Sequence, residues 1–201
     1  MLEETDGVIT SSIEGIGLKD LPEGDVVIAV DYSTLNYKDG LILKGLGGLV
    51  RKYPHVPGVD CSGVIESSDN NEYLPGDRVV LNGWRFGEAC WGGYAQKVRA
   101  KASQLVKLPD NISTKQAMAI GTAGYTAMLA IMALEDHGLT TDSDGEILVT
   151  GASGGVGSIS IAILSNLGYQ IAASTGRDES IDYLKFLGAN NIVHRRELEQ
   201  P

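Results

Sequence analysis

Glu146-Ile147-Leu148-Val149-Thr150-Gly151-Ala152-Ser153-Gly154-Gly155-Val156-Gly157 sets the architecture of the second half of this chain. The apolar run Ile147-Leu148-Val149 stops at a loop of small residues, and a helical pattern follows through Ile159, Ile161, Ala162, Ile163 and Leu167. A buried strand, a tight glycine turn and a helix start form a phosphate-binding arrangement. The first amides of a helix lack internal partners and carry partial positive charge, so a pyrophosphate satisfies them if no side chain blocks its approach. Ala152 to Gly157 follows the spacing G-x-G-x-x-G, with alanine in the first glycine place. In that frame Gly154 lets the backbone approach the pyrophosphate, Gly157 lets the helix pack on the strand, and Ser153, Gly155 and Val156 complete the cradle. A second strand over Gln170 to Ser174 supplies the context that the motif requires.

The end of that second strand selects the dinucleotide. An acidic residue about 20 positions after the motif would bind the ribose 2′-hydroxyl of NAD. Here the chain reads Ser174-Thr175-Gly176-Arg177. Two hydroxyls and a guanidinium suit a 2′-phosphate, which arginine binds through paired, charge-assisted hydrogen bonds. The expected cofactor is therefore NADPH. Asp178 and Glu179 come too late for the ribose and read as the charged first turn of the next helix.

Working outward, the 201 residues allow one large domain or two small ones. A net charge of −10 argues against a nucleic-acid partner. Cys61 and Cys90 form no Cys-x-x-Cys pair, so no structural zinc cluster and no metal is expected. With no signal peptide, a cytoplasmic location and reduced thiols are expected. No apolar stretch is expected to span a membrane, and Met128 to Leu134 reads as part of a shorter helix.

The first half reads as β-structure: Asp25 to Tyr32, Gly63 to Ile65, Arg78 to Leu81 after the Pro75-Gly76-Asp77 turn, and Tyr94 to Val98. Helical character begins after Pro109, where Ser113 and Gln116 have capping-box spacing. One helical run should reach Gly121, and another should extend from Thr122 to about Glu135. A further helix carries Ile181, Leu184 and Leu187 on one face and ends at Gly188, before a third strand from Asn191. The fold class expected is α/β, with a β-rich barrel or sandwich followed by the first half of a doubly wound parallel sheet. Because such a sheet normally has six strands, the chain is expected to be a fragment of a longer protein; completion by a partner chain is the alternative.

Pro57-Gly58-Val59-Asp60-Cys61-Ser62-Gly63-Val64, Pro75 to Val79 and Gly92-Gly93-Tyr94-Ala95 make the chain resemble the medium-chain dehydrogenase/reductase superfamily. The resemblance implies a GroES-like catalytic domain over residues 1 to 110 and a partial NADPH-binding Rossmann domain over 111 to 201. The zinc-binding positions of that superfamily fall at Asn36 and at Val59-Asp60, and asparagine and valine are poor ligands. This places the resemblance in the zinc-independent quinone oxidoreductase branch. Leu35 to Gly40, Gly83-Trp84 with Trp91 to Tyr94, and Ile120 to Met128 are similar to the acrylyl-CoA reductase group. Arg85 and Ala89-Cys90 depart from it, standing where smaller residues and a histidine are expected.

The implied reaction is NADPH-dependent reduction of the carbon–carbon double bond of acrylyl-CoA or a similar enoyl thioester. An NADPH quinone reductase and a non-catalytic NADPH-binding protein remain as alternatives. The implied substrate is a small-molecule enoyl-CoA or quinone, with no nucleic acid and no membrane; dimers are common in the superfamily, so a homodimer is allowed. Without zinc, enolate-like charge must be held by hydrogen-bond donors, for which Asn36 and the neighbouring backbone are the candidates. Tyr37 is the candidate proton donor, or else an aromatic packed beside the nicotinamide. Thr122 is expected to contact the nicotinamide end or to cap a helix. Lys38 and Asp39 are expected to orient the loop as an ion pair. Arg51 and Lys52 read as a solvated loop, with contact to a CoA phosphate as the alternative. His55, His137 and His194 read as surface or loop residues, Cys61 as a small core residue and Cys90 as a loop thiol.

Overall fold

The computed structural model describes residues 1–198. The chain divides into two compact units, Met1–Thr122 and a second that begins at Ala123.

The first unit opens with a hairpin, β1 (Leu2–Thr5) and β2 (Val8–Ser11), turning at Asp6-Gly7. Its main sheet uses β3 (Val26–Ser33), β4 (Asp60–Ser68), β5 (Arg78–Asn82), β6 (Lys97–Ala100) and β7 (Val106–Lys107) in the order β6-β3-β4-β5-β7, all antiparallel. β-Branched residues suit these pleated, half-buried strands. Val26, Ile28, Cys61, Ile65, Val79, Leu81 and Val98 fill one core cluster. Between β4 and β5 the turn at Pro75-Gly76-Asp77 is closed locally. The Leu74 amide donates to the Asp77 carboxylate at 2.8 Å, and the Asp77 amide donates to the Leu74 carbonyl at 3.0 Å. A short helix, α1 (Tyr37–Leu43), follows β3. Its Ile42 packs with Leu2 and Val59 in a separate small cluster.

Strands β3, β4, β5 and β6 fall on the expected runs, β4 extending well beyond Gly63 to Ile65, while the β1–β2 hairpin and β7 are additional. The run from Tyr94 becomes a strand only at Lys97, because the Gly92, Gly93 and Tyr94 amides are already bonded to the carbonyls of Val56, Gly58 and Pro57. His55 is not a surface residue. It is buried, its backbone exchanges two hydrogen bonds with Leu2, and its Nε2 meets the Gly87 carbonyl at 2.8 Å. A carbonyl only accepts, so Nε2 carries the proton. Burial holds this imidazole below its ordinary pKa.

Helix α2 (Thr114–Asp136) starts as its capping box predicts. The Gln116 amide donates to Ser113 Oγ at 3.2 Å, and the Ser113 amide donates to Gln116 Oε1 at 2.9 Å. At Gly121 the backbone leaves helical geometry, with φ 53° and ψ −166°, so the two expected runs meet at a break. By length and composition these 23 residues could cross a membrane, a run longer than the sequence reading allowed. The break divides them, and the piece after it reaches only about 22 Å at 1.5 Å per residue, short of a ~30 Å hydrocarbon core.

The second unit contains β8 (Ile147–Val149), α3 (Gly155–Leu167), β9 (Ile171–Thr175), α4 (Ile181–Phe186) and β10 (Asn191–His194). The strands are parallel in the order β10-β9-β8. Every residue of central β9 is buried, as expected of a parallel strand covered on both faces. Ile161 and Leu164 of α3 and Leu184 of α4 share a core with Val149, Ile171 and Ala173. Helix α3 ends at Gly168 in the left-handed region, and Gly188 closes the turn after α4 with φ 109°.

Candidate functional site

In the first unit the candidate residues gather around Asp60, the first residue of β4. Asp60 is wholly buried. Its carboxylate accepts from Thr34 Oγ1 at 2.6 Å and from the Thr122 amide at 2.8 Å, and the Thr122 hydroxyl makes a third, short bond. Asn36 Nδ2 donates to Thr34 Oγ1 at 2.7 Å. A chain of hydrogen bonds therefore runs Asn36–Thr34–Asp60–Thr122. It brings together two residues that the sequence nominated separately, through two that it did not, Thr34 and Asp60. The signal was an acid inside Gly58-Val59-Asp60-Cys61-Ser62-Gly63, a run otherwise built for burial. A buried carboxylate among apolar and small residues has to be held by donors.

Thr122 spends its hydroxyl as a donor to Asp60, not as an acceptor from a helix amide, so the bond it makes is not a cap. The break at Gly121 makes this possible. A Cβ at that position would stand 3.1 Å from Asp60 Oδ2 and from Thr34 Cγ2.

A second buried carboxylate, Asp39, fixes the start of α1. It accepts from the Asn36 amide at 2.9 Å and from the Val59 amide at 3.1 Å. This corrects the expected Lys38–Asp39 ion pair. Asp39 points into the protein, and Lys38 reaches the other way to Glu88, 2.8 Å from Nζ to Oε1. Tyr94 donates its hydroxyl to the Thr34 carbonyl at 2.9 Å. Burial first, then the nearby Asp39, pushes its pKa up, so it stays protonated. Tyr37 itself is 86% exposed. Asn36 uses one of its two amide hydrogens on Thr34 and makes no other side-chain donation among the described residues. Cys61 is buried and its thiol is pushed up to about 12, chiefly by burial, so it is an inert core residue. Cys90 is exposed, as are Arg51 and Lys52.

In the second unit the loops after β8 and β9 leave the same edge of a parallel sheet, where open α/β sheets take ligands. Gly154 is the N-cap of α3, and the amides of Gly155, Val156 and Gly157 open the helix without intrahelical acceptors. Gly157 is needed for contact with the turn beneath it: a Cβ there would lie 2.5 Å from the Gly151 carbonyl oxygen and 2.8 Å from Ala152 Cα. Ala152 is buried, and Ser153 is half-buried at the loop crest. Ser174 and Thr175 lie inside β9 and are buried; Thr175 Oγ1 accepts from the Arg177 amide at 3.1 Å. Arg177 is exposed, and its guanidinium makes no ion pair or hydrogen bond among the described residues. Within this set, Arg177 is the group at the surface that is able to meet a phosphate. An exposed, uncommitted guanidinium and three unpartnered helix-start amides fit a phosphorylated dinucleotide.

Comparison with known proteins adds three findings. Residues 22–110 match the alcohol dehydrogenase GroES-like domain. The acrylyl-CoA reductase AcuI of Ruegeria pomeroyi is 58% identical over 198 residues, which take in 98% of this chain and 60% of that protein. Two solved structures share the fold over nearly the whole chain. YhdH of Escherichia coli K-12 with bound NADPH has a TM-score of 0.95 at 46% identity, covering 100% of this chain and 62% of that one. The YhfP protein of Bacillus subtilis with NAD bound has a TM-score of 0.94 at 40% identity, covering 99% and 60%. The chain thus spans about 60% of the length of these relatives.

Proposed function

Since this chain belongs to the medium-chain dehydrogenase/reductase family, we propose that it is the catalytic-domain and partial coenzyme-domain portion of an NADPH-dependent reductase acting on the double bond of acrylyl-CoA or a similar enoyl thioester. The observation that carries this reading is the end of β9. A buried Ser174-Thr175 pair delivers an exposed Arg177, unpaired among the described residues, beside the glycine loop, where an NAD enzyme would place an acid. The 58% identity to an acrylyl-CoA reductase supports the substrate class.

NADPH, when bound, supplies the hydride for the β-carbon of the thioester. The residues of this chain divide the remaining work. Gly154 to Gly157 hold the pyrophosphate, and Arg177 holds the 2′-phosphate. Asn36, fixed by Thr34 and Asp60, keeps an amide hydrogen for the thioester oxygen as negative charge develops there. Tyr37 gives its phenolic proton to the α-carbon and, being open to solvent, regains one from water. Thr122, held by the Asp60 carboxylate, is assigned the contact to the nicotinamide.

The complete protein, given NADPH and acrylyl-CoA, is expected to yield NADP⁺ and propionyl-CoA in equal amounts, measured by absorbance at the nicotinamide band and by mass spectrometry of the thioester. Faster turnover of a neutral quinone than of acrylyl-CoA would move the function to quinone reduction. NADPH binding without turnover of either would leave a non-catalytic binding protein.

A further inference from the structure

The turn that follows β5 is strained, exposed and charged. Trp84 and Arg85 have φ of 54° and 56°, two consecutive residues in a left-handed conformation that disfavours any side chain with a Cβ. The family resemblance implies a smaller residue at position 85, so the arginine is a departure held at a conformational cost. Neither side chain repays that cost in the core: Trp84 is 61% exposed and the Arg85 side chain 57%.

Glu88, only 13% exposed, joins this turn to the Tyr37 loop. One of its oxygens is 2.8 Å from Lys38 Nζ, and the other is 3.8 Å from Arg85 Nε. Two cations and one anion therefore meet next to Tyr37, leaving local positive charge on a chain whose net charge is −10. Glu88 engages only the Nε side of the guanidinium. The terminal nitrogens of Arg85 make no hydrogen bond among the described residues, so the outer edge of the fork is available. Asn82 Nδ2, at the start of the same turn, is a buried donor with no partner among the described residues.

An exposed indole beside an available guanidinium suits a ligand that carries an aromatic base and phosphates: the ring takes the base by stacking, and the fork takes a phosphate oxygen by paired charge-assisted bonds. We propose that the Gly83–Glu88 turn binds the nucleotide end of a coenzyme A thioester, Arg85 pairing with a phosphate and Trp84 stacking on the adenine. This rests on the acyl-CoA reading of the substrate and adds to it the residues that favour an anionic thioester over a neutral quinone.

Calorimetric titration of coenzyme A, pantetheine and NADPH into the protein and into Arg85→Gly tests the assignment. Coenzyme A is expected to bind the wild-type protein more tightly than pantetheine, which lacks the nucleotide. Its dissociation constant is expected to rise about tenfold or more in Arg85→Gly. Pantetheine and NADPH should bind both proteins equally, which separates the coenzyme A phosphates from those of NADPH. Glycine relieves the left-handed backbone, so the variant should melt no lower than the wild type. Equal coenzyme A affinity in the two proteins would overturn the proposal. So would a variant that melts lower and loses pantetheine as well, since Arg85 would then be structural. If Arg85-dependent coenzyme A binding is found but acrylyl-CoA is not reduced, the reductase reading fails and this site stands.

Discussion

Asp60→Ala is expected to lower the stability of the first unit by about 3–5 kcal/mol. The carboxylate is wholly buried and answers three donors: the hydroxyl of Thr34 and both the amide and the hydroxyl of Thr122. Each buried donor left without a partner costs about 1–3 kcal/mol. The two hydroxyls can turn toward other acceptors, but the Thr122 amide cannot, so the total falls below three full penalties. Asp60→Asn should cost less, about 1–3 kcal/mol, because one oxygen still accepts while the new amide faces donors. Both tryptophans, Trp84 and Trp91, belong to the first unit, so urea unfolding followed by their fluorescence reports on it. A loss under about 1 kcal/mol for the alanine variant would mean that the network does not hold the site together.

Tyr37→Phe is expected to reduce turnover of acrylyl-CoA by ~10²-fold or more, the typical worth of a positioned general acid. The side chain is 86% exposed, so losing one hydroxyl leaves no cavity and no orphaned partner, and the fold should be unaffected. The effect should fall on kcat, with little change in the affinity for NADPH. Turnover within about twofold of the wild type would exclude a proton-transfer role. Tyr37 would then be an aromatic beside the nicotinamide, and the α-carbon would take its proton from water.

What could be read from the sequence was what is local in it. The glycine loop from Gly151 to Gly157 announces its strand, turn and helix within twelve positions. Ser113 and Gln116 close a box within four. Most strands of the first unit also declared themselves, because alternation and Pro-Gly turns are short-range signals. The features that escaped are bonds between distant positions. Asp60 meets Thr34 and Thr122, 26 and 62 residues away, and nothing in the spacing of those residues predicts the encounter. Lys38 finds Glu88 fifty positions on, and not its neighbour Asp39, because Asp39 is drawn inward by the amides of Asn36 and Val59. His55 is buried by a bridge to Leu2, from a hairpin too short and too polar to show in the pattern. Asn36 and Thr122 could each be nominated from local sequence, while the Thr34–Asp60 link between them required the fold.

A chain built for NADPH should distinguish it from NADH in a fluorescence titration of the 201 residues with each cofactor. An arginine–phosphate pair is worth about 1.5–3 kcal/mol, or roughly 10–100-fold in affinity. NADPH is expected to bind tighter than NADH by that factor, and Arg177→Ala is expected to bring the two together by weakening NADPH alone. Equal binding of the two cofactors by the wild-type chain, or a preference for NADPH that survives Arg177→Ala, would contradict the account.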